Sequence, residues 1–270
     1  MLKKFRNSVI VLILVLCSCV TTYAGGPGGP DSIDLGTKAG EDVLSPAEGA
    51  LVAQKENQLY LQRRAATAAA YDIYVPVSRQ IVGYYCGPAA AYMVIHSFGE
   101  SVSSKTRSLY FYIEGECDDN CPYPGVEHEH YKSYTSPQIT LADEMDTDYG
   151  GTSITSVKNT INDYVSGFYY ALKYIECDPS SESELVSKIS STLSYGHPLV
   201  VWVEARLLHE YHNADFGGHY VGIEGINTSD GTIDIADPNY YTAISTHYTE
   251  DIDDVLYAIW DNGSTGNLIW

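Results

Sequence analysis

The sequence predicts an α+β fold, because segments with helical periodicity come first along the chain and β-rich segments come afterwards. Apolar residues recur at helical spacing in three segments before Pro198. From Leu199 onward the pattern changes to continuous or alternating runs rich in β-branched residues. We therefore expect an early helix packed on an antiparallel sheet formed by later parts of the chain.

Three helices are predicted from the periodic segments. The first covers residues 86–97 and stops at Gly99, a residue type that commonly follows a helix. Thr152 can cap the second helix, and the third ends at Gly196 and Pro198. The apolar positions that define the three faces are Ala90, Met93, Val94 and Phe98, then Ile154, Val157, Ile161 and Val165, then Leu185, Val186, Ile189 and Leu193.

Four strands are predicted around these helices. Residues 74–77 form a short early strand, and the continuous apolar run 199–203 predicts a buried one. The segments 219–226 and 232–236 are joined by Asn-Thr-Ser-Asp-Gly, a typical turn sequence. These last two strands should therefore pair as antiparallel neighbours.

Length, composition and charge restrict the class of protein. The chain has 270 residues, of which 44% are hydrophobic and 19% charged, which fits an ordinary globular protein with one sizeable core. The formal net charge is −20, and such a surface repels nucleic acid and anionic membranes because phosphate binding needs clusters of Lys and Arg. We expect no nucleic-acid partner and a monomer.

The N-terminal residues predict export. Residues 1–24 combine a basic start, a short apolar stretch and the small residue Ala24 at the end, as a cleaved signal peptide does. The run Leu-Cys-Ser-Cys that ends at Cys19 leaves open a second reading, a lipoprotein anchored through that cysteine. In both cases the mature chain is expected to be secreted or held at the cell envelope.

Residues 25–71 form a leader between the signal and the predicted domain, 72–270. Its first half is rich in Gly and Pro, which predicts a flexible segment, whereas residues 48–70 are rich in Ala and Gln and predict a helix. That helix is either a prosegment that covers the active-site cleft or an element that packs on the domain, and the sequence leaves both open.

Four cysteines lie beyond the signal. Cys117 and Cys121 are close together in an acidic segment, and in an exported chain a local disulfide is the preferred interpretation. A zinc site with His128 and His130 is a less favoured alternative, because the spacing matches no standard structural site. Cys177 is expected to be a buried thiol, and we expect neither a metal nor an organic cofactor.

The remaining cysteine, Cys86, belongs to a set of four residues with complementary chemistry. It begins the first predicted helix, and a helix N-terminus with a neighbouring imidazolium favours the reactive thiolate form. His219 begins one predicted strand and Asp237 ends its antiparallel neighbour, so their side chains should meet. The imidazole can act as base and acid, the carboxylate can orient it, and the amide of Gln80 can stabilise an oxyanion.

The same residues resemble cysteine peptidase family 39, the bacteriocin-processing or double-glycine peptidases, and more closely its secreted stand-alone relatives in the papain-like clan. The resemblance covers residues 72–245 and rests on Gln80, Cys86-Gly-Pro-Ala, Gly-His219-Tyr-Val and Asp237-Pro, in that order. It implies a papain-like fold and a Cys86–His219–Asp237 triad with Gln80 as oxyanion donor. The family often has Asp before the nucleophile, whereas this chain has Tyr85.

The functional prediction is a secreted thiol hydrolase that cleaves peptide bonds in a peptide or protein substrate. Two alternatives stay open: a cell-wall amidase or transferase with the same triad, and an inactive binding protein on this scaffold. Asn239 is the alternative orienting residue, since an amide can also hold an imidazole. His96 is interpreted as a structural histidine, Asp234 as a solvated acid, and His209 and His212 as part of a loop over the cleft.

Overall fold

The computed structural model describes residues 51, 55, 70–111, 130–175, 180–211, 216–260 and 266–270. Within these ranges the chain forms five α-helices: α1 (Cys86–Ser97), α2 (Pro137–Glu144), α3 (Ile154–Tyr164), α4 (Ser181–Ser194) and α5 (Ile252–Trp260). The strands are β1 (Ala70–Asp72), β2 (Lys105–Phe111), β3 (His130–Ser136), β4 (Leu172–Lys173), β5 (Leu199–Glu204), β6 (Gly218–Asn227), β7 (Thr232–Ala236), β8 (His247–Asp251) and β9 (Leu268–Ile269). This mixture of helices with an antiparallel sheet agrees with the α+β prediction.

The main sheet has seven strands and is centred on β6. Six of them lie in the order β4-β9-β5-β6-β7-β8, and β1 pairs with the far end of β6. All of these pairs are antiparallel. The strands β2 and β3 form a separate antiparallel pair. The long strand β6 therefore contacts three other strands and holds residues from distant parts of the chain together.

Helix α1 packs against this sheet through small side chains. Ala89, Ala90 and Ala91 are fully buried, and the methyl group of Met93 lies over Gly222 of β6. The apolar cluster around α1 includes residues of β5, β6, β7 and β9. A helix rich in alanine can approach a sheet closely, so the packing fixes the position of its first residue, Cys86, relative to β6.

Most of the predicted elements are present. The first predicted helix matches α1, and Gly99 after it has a positive φ of 76°. The predicted strands 199–203, 219–226 and 232–236 correspond to β5, β6 and β7. The cap of α3 was assigned to the wrong neighbour: the N-cap is Ser153, whose hydroxyl accepts from Ser156 N, rather than Thr152.

The predicted strand 74–77 is wrong, because the early strand is β1, four residues nearer the N-terminus. The backbone N–H of Val75 donates to the side-chain Oε2 of Glu224 over 3.0 Å rather than to a neighbouring strand. The last backbone hydrogen bond from this segment to β6 is donated by Ile73 N to Glu224 O. The carboxylate therefore takes the donor that a continuing strand would have used.

Several predictions lie outside the described residues. They include the signal peptide, most of the leader, Cys117, Cys121, Cys177 and His128. Within the predicted helix 48–70, the described residues Leu51 and Lys55 are both helical. None of the helices in the described ranges combines the length and hydrophobicity that a bilayer crossing requires.

Candidate active site

Cys86 is the first residue of α1. Its helix has no side-chain cap, and the residue before it, Tyr85, has φ −101° and ψ 21°. A turn leads into the helix, with Tyr85 N bonded to Val82 O and Ala89 N bonded to Tyr85 O. The thiol is buried, with 1% of the residue exposed. It lies where the unpaired backbone N–H groups of a helix favour negative charge.

His219 and Asp237 come from the adjacent strands β6 and β7. In their register Gly222 faces Ala236, so His219 and Asp237 lie near the same end of the pair. His219 Nε2 is 2.8 Å from Asp237 Oδ1, and both side chains are buried. The sequence prediction that these two strand ends bring the side chains together is confirmed in the geometry.

Cys86 lies beside this pair. The thiol of Cys86 contributes to the raised pKa of His219, so the two side chains lie close together. Nε2 of the ring is engaged by Asp237. The structure therefore brings Cys86, His219 and Asp237 close together, with the imidazole bonded to the carboxylate.

Asp237 is completely buried and surrounded by donors. Besides His219, the backbone N–H of Asn239 donates to Oδ1 over 2.8 Å. The hydroxyls of Tyr211 and Tyr248 both donate to Oδ2, each over 2.8 Å. Charge-assisted hydrogen bonds of this kind stabilise the ionised form of a buried carboxylate.

The pKa values follow from these contacts. Burial alone lowers the pKa of His219, but the charge and hydrogen bond of Asp237 outweigh it and raise the pKa to about 10. For Asp237, burial alone raises the pKa. The charge of His219 and the hydrogen bonds from His219, Tyr211 and Tyr248 outweigh this, so the pKa of Asp237 is lowered. The geometry thus favours a buried imidazolium–carboxylate pair at neutral pH.

Asn239, the alternative orienting residue, supports the carboxylate instead of replacing it. Its Nδ2 donates to the hydroxyl of Tyr211 over 2.7 Å, and its Oδ1 accepts from Tyr241 N. The described hydrogen bonds place Asp237, not Asn239, against the imidazole. Asn239 belongs to the layer that positions Asp237.

Gln80 is buried beside the turn that leads to Cys86. Its Nε2 donates to Val82 O over 3.2 Å and to Gly83 O over 2.7 Å. Both amide hydrogens are thereby directed at the turn. An oxyanion role requires one of these bonds to be exchanged when substrate binds, and this role stays a prediction.

Two residues that the sequence analysis did not select hold this region together. Gln138 accepts from Ile81 N and donates to Arg79 O, and it is almost completely buried. The guanidinium of Arg79 donates to Asn239 O and Ile244 O, over 2.9 and 2.8 Å. The segment before Cys86 is therefore fastened to the loop after Asp237.

The other histidines discussed in the sequence analysis are described only in part. His96 is exposed and stacks on Tyr92 with ring centroids 5.6 Å apart, as expected for a structural histidine. His209 lies in a short 3-10 helix, and His212 is outside the described residues. Among the described residues, no group of three or more His, Cys, Asp or Glu side chains is arranged to hold a metal ion.

Comparison with known proteins gives the class of this chain. The model of the Peptidase C39 like family matches residues 72–265, so the chain belongs to that family. The match contains Gln80, Cys86, His219 and Asp237, and it supports the resemblance to peptidase family C39 found in the sequence. No curated protein matches the chain at a significant level.

Proposed function

We propose that this protein is a thiol-dependent peptidase with a papain-like arrangement, in which Cys86, His219 and Asp237 form the catalytic triad. The observation that carries the proposal is the buried His219–Asp237 bond of 2.8 Å, with Cys86 close enough to the same imidazole to raise its pKa. Family membership supports the same reaction class. The position of Cys86 at the start of α1 adds the helix dipole to the imidazolium.

The proposed reaction has two stages. The thiolate of Cys86 attacks an amide carbonyl, and the tetrahedral intermediate collapses to a thioester as His219 gives its proton to the leaving amine. Water then attacks the thioester while His219 accepts a proton, which releases the carboxylic acid and restores the thiolate. Asp237 keeps the imidazole in one orientation through both stages.

Two donors are proposed for the oxyanion: the backbone N–H of Cys86 and the amide of Gln80. Removing one such donor typically costs about 10²–10³ in kcat. We expect Gln80→Ala to lower kcat with little change in KM. A change in KM alone would mean that the Gln80 amide acts only on bound substrate or on the turn at Val82 and Gly83.

A second candidate, a non-catalytic binding protein, is favoured by one observation. Only 1% of Cys86 is exposed, so a substrate carbonyl reaches the thiol only if neighbouring groups move. The deciding experiment treats the full chain with a thiol-reactive peptidyl probe and identifies the labelled cysteine by peptide mapping. Labelling of Cys86 supports the peptidase, and absence of labelling with the fold intact supports the binding protein.

Substrate class is tested with the same protein. Unfolded proteins, cell-wall peptides and amine acceptors are incubated with the chain and with Cys86→Ala as the matched control. Cleavage of ordinary peptide bonds supports the peptidase, whereas product from cell-wall peptides or amine acceptors alone supports an amidase or transferase. Export is also proposed, on residues 1–24, and N-terminal sequencing of the mature protein distinguishes cleavage after Ala24 from lipidation at Cys19.

A further inference from the structure

A lysine of the leader is enclosed by aromatic rings on the main domain. The Nζ atom of Lys55 lies 4.2 Å from the ring centroid of Phe168, 4.5 Å from that of Trp270 and 5.5 Å from that of Tyr170. Lys55 itself is buried, with 8% exposed. Rings placed around an amine at these distances attract its charged form through their negative faces.

Two main-chain oxygens complete the contacts of this amine. Nζ donates to Tyr169 O over 2.8 Å and to Trp270 O. Trp270 and Ala171 exchange backbone bonds in both directions, so the Trp270 oxygen is held in place by backbone pairing. We call the three rings, Phe168, Tyr170 and Trp270, together with these oxygens, the amine recess.

Burial of an amine is unfavourable unless its donors are satisfied. Burial and then the charge of Lys188 lower the pKa of Lys55 to about 6. Lys188 lies 3.5 Å from the same indole ring of Trp270. The two oxygens accept hydrogen bonds from the amine, so the contact differs from general apolar packing.

The amine recess lies beside the C-terminal end of α1. Phe98, which follows that helix, packs against Phe168 and Tyr170 with centroid distances of 6.3 and 6.2 Å. Helix α1 has 12 residues, which at 1.5 Å per residue spans about 18 Å. Cys86 is at the opposite end of the helix, so Lys55 is held far from the thiol.

A partly open cavity adjoins the recess. It has a volume of about 510 Å³ and is lined by Leu51 and Lys55 of the leader and by Phe168, Tyr195 and His197 of the domain. Leu51 and Lys55 are four residues apart and both helical, so they share one face. Two described residues of the leader, Leu51 and Lys55, thus contact the same surface.

We propose that the amine recess is a docking site for the leader, with the side-chain amine of Lys55 as its ligand, and that it anchors the leader away from the catalytic thiol. Of the two roles that the sequence leaves open for residues 48–70, the geometry points to a packing element fastened to the domain. The inference does not depend on the proposed peptidase activity.

The test compares Lys55→Met with Lys173→Met in the full chain. Methionine keeps the apolar length of lysine and removes the amine, while Lys173 is a surface lysine 2.9 Å from Glu184 and serves as the control. We expect Lys55→Met to speed amide exchange in residues 48–58 and 266–270 about tenfold, and Lys173→Met to leave both unchanged. Unchanged exchange in Lys55→Met would overturn the recess as an amine site.

A peptide added in trans keeps the inference testable if the variant is generally less stable. A synthetic peptide of residues 48–60 should restore protection of residues 266–270 in Lys55→Met, and the same peptide with Lys55→Met should not. Restoration by both peptides would overturn recognition of the amine.

Remoteness from the thiol has its own measurement. The rate of Cys86 alkylation by iodoacetamide, followed by peptide mapping, should be the same in Lys55→Met and in the unaltered chain. A tenfold faster alkylation in Lys55→Met would overturn the remote anchor and assign a masking role to the leader.

Discussion

Two histidine–carboxylate pairs occur on the same sheet, and they differ in burial and in surroundings, which separates the proposed reaction centre from a structural contact. His219 Nε2 and Asp237 Oδ1 are 2.8 Å apart, and the two side chains are 4% and 0% exposed. His247 Nδ1 and Glu224 Oε1 are 2.6 Å apart, with 34% and 9% exposure. By distance alone the second pair would be the stronger candidate.

The surroundings of the two pairs give the difference. His219 lies close to the thiol of Cys86, at the N-terminus of a helix. His247 instead stacks on Tyr74, which is 78% exposed. Glu224 uses its other oxygen to accept from Val75 N and so holds the chain after β1. A histidine–carboxylate pair therefore indicates catalysis only where burial and a reactive third group accompany it.

The largest expected effect separates the two histidines. His219→Ala should lower kcat/KM on the order of 10⁴-fold or more, as for other members of a nucleophile–base pair. His247→Ala should leave kcat/KM within about twofold, the range of surface substitutions. Both rates are measured on one peptide substrate at pH 7, and equal losses in the two variants would contradict the assignment of His219.

The next comparison concerns the two carboxylates. Asp237→Asn keeps the shape but removes the charge that raises the pKa of His219 to about 10, so burial should then lower that pKa. The protonated imidazole of the unaltered chain persists until the pH rises through about 10, which predicts an alkaline limb there in the profile of kcat/KM. In Asp237→Asn this limb should move below pH 7.

Glu224→Gln is the control for that profile. It should leave the alkaline limb in place, because the second pair lies outside the triad. Stability follows the same sign: the contribution of the His219–Asp237 pair is present at neutral pH and is lost as the pH rises through about 10. A limb that stays near pH 10 in Asp237→Asn would mean that Asp237 does not set the protonation of His219.

A smaller effect is expected from the two tyrosines that hold Asp237. Burial and then the charge of Asp237 raise the pKa of both Tyr211 and Tyr248, so both keep the proton that they donate. Tyr211→Phe or Tyr248→Phe removes one hydrogen bond to a charged group and should destabilise the fold by about 1.5–3 kcal/mol. The alkaline limb should also move, because the carboxylate of Asp237 loses a donor that fixes it against His219.

Tyr170→Phe provides the matched control, because its buried hydroxyl donates to Pro198 O over 2.7 Å, outside the triad. It should lower stability in urea denaturation without moving the pH profile. If all three variants change stability alone, the tyrosines support the fold and do not position the triad.

The sequence was sufficient for the residues whose positions depend on local pattern. Cys86 could be placed because it precedes a helical segment, and His219 and Asp237 because two alternating strands with a short turn bring their ends together. Tyr211, Tyr248 and Gln138 could not be found in this way, because each acts through side-chain hydrogen bonds to residues outside its own helix or strand.

The errors have the same origin. Residues 74–77 have the composition of a strand, yet the carboxylate of Glu224 accepts from Val75 N and ends the pairing. Lys55 is an ordinary lysine in the sequence, and only the meeting of Phe168 and Trp270 gives it a specific partner. Local propensity predicts elements, whereas these contacts depend on which side chains meet after folding.

The smallest effect is expected at Tyr74, which contacts His247 of the structural pair. Tyr74→Ala removes the ring that stacks on His247 with centroids 5.5 Å apart. Because Tyr74 is largely exposed, the loss should stay within about 0.5 kcal/mol in urea denaturation, with kcat/KM unchanged. A large loss of activity would show that the two histidine pairs are coupled.

The strand that contains His219 also contains a position, Gly218, at which a larger side chain does not fit. A Cβ atom on Gly218 would lie 2.4 Å from the indole ring of Trp202 on the adjacent strand. The two positions are thus complementary in volume, so a larger residue at 218 becomes acceptable only with a smaller one at 202. The Gly-His dipeptide of this chain is therefore half of a correlated pair, in which substitution at one site changes which residues the other accepts.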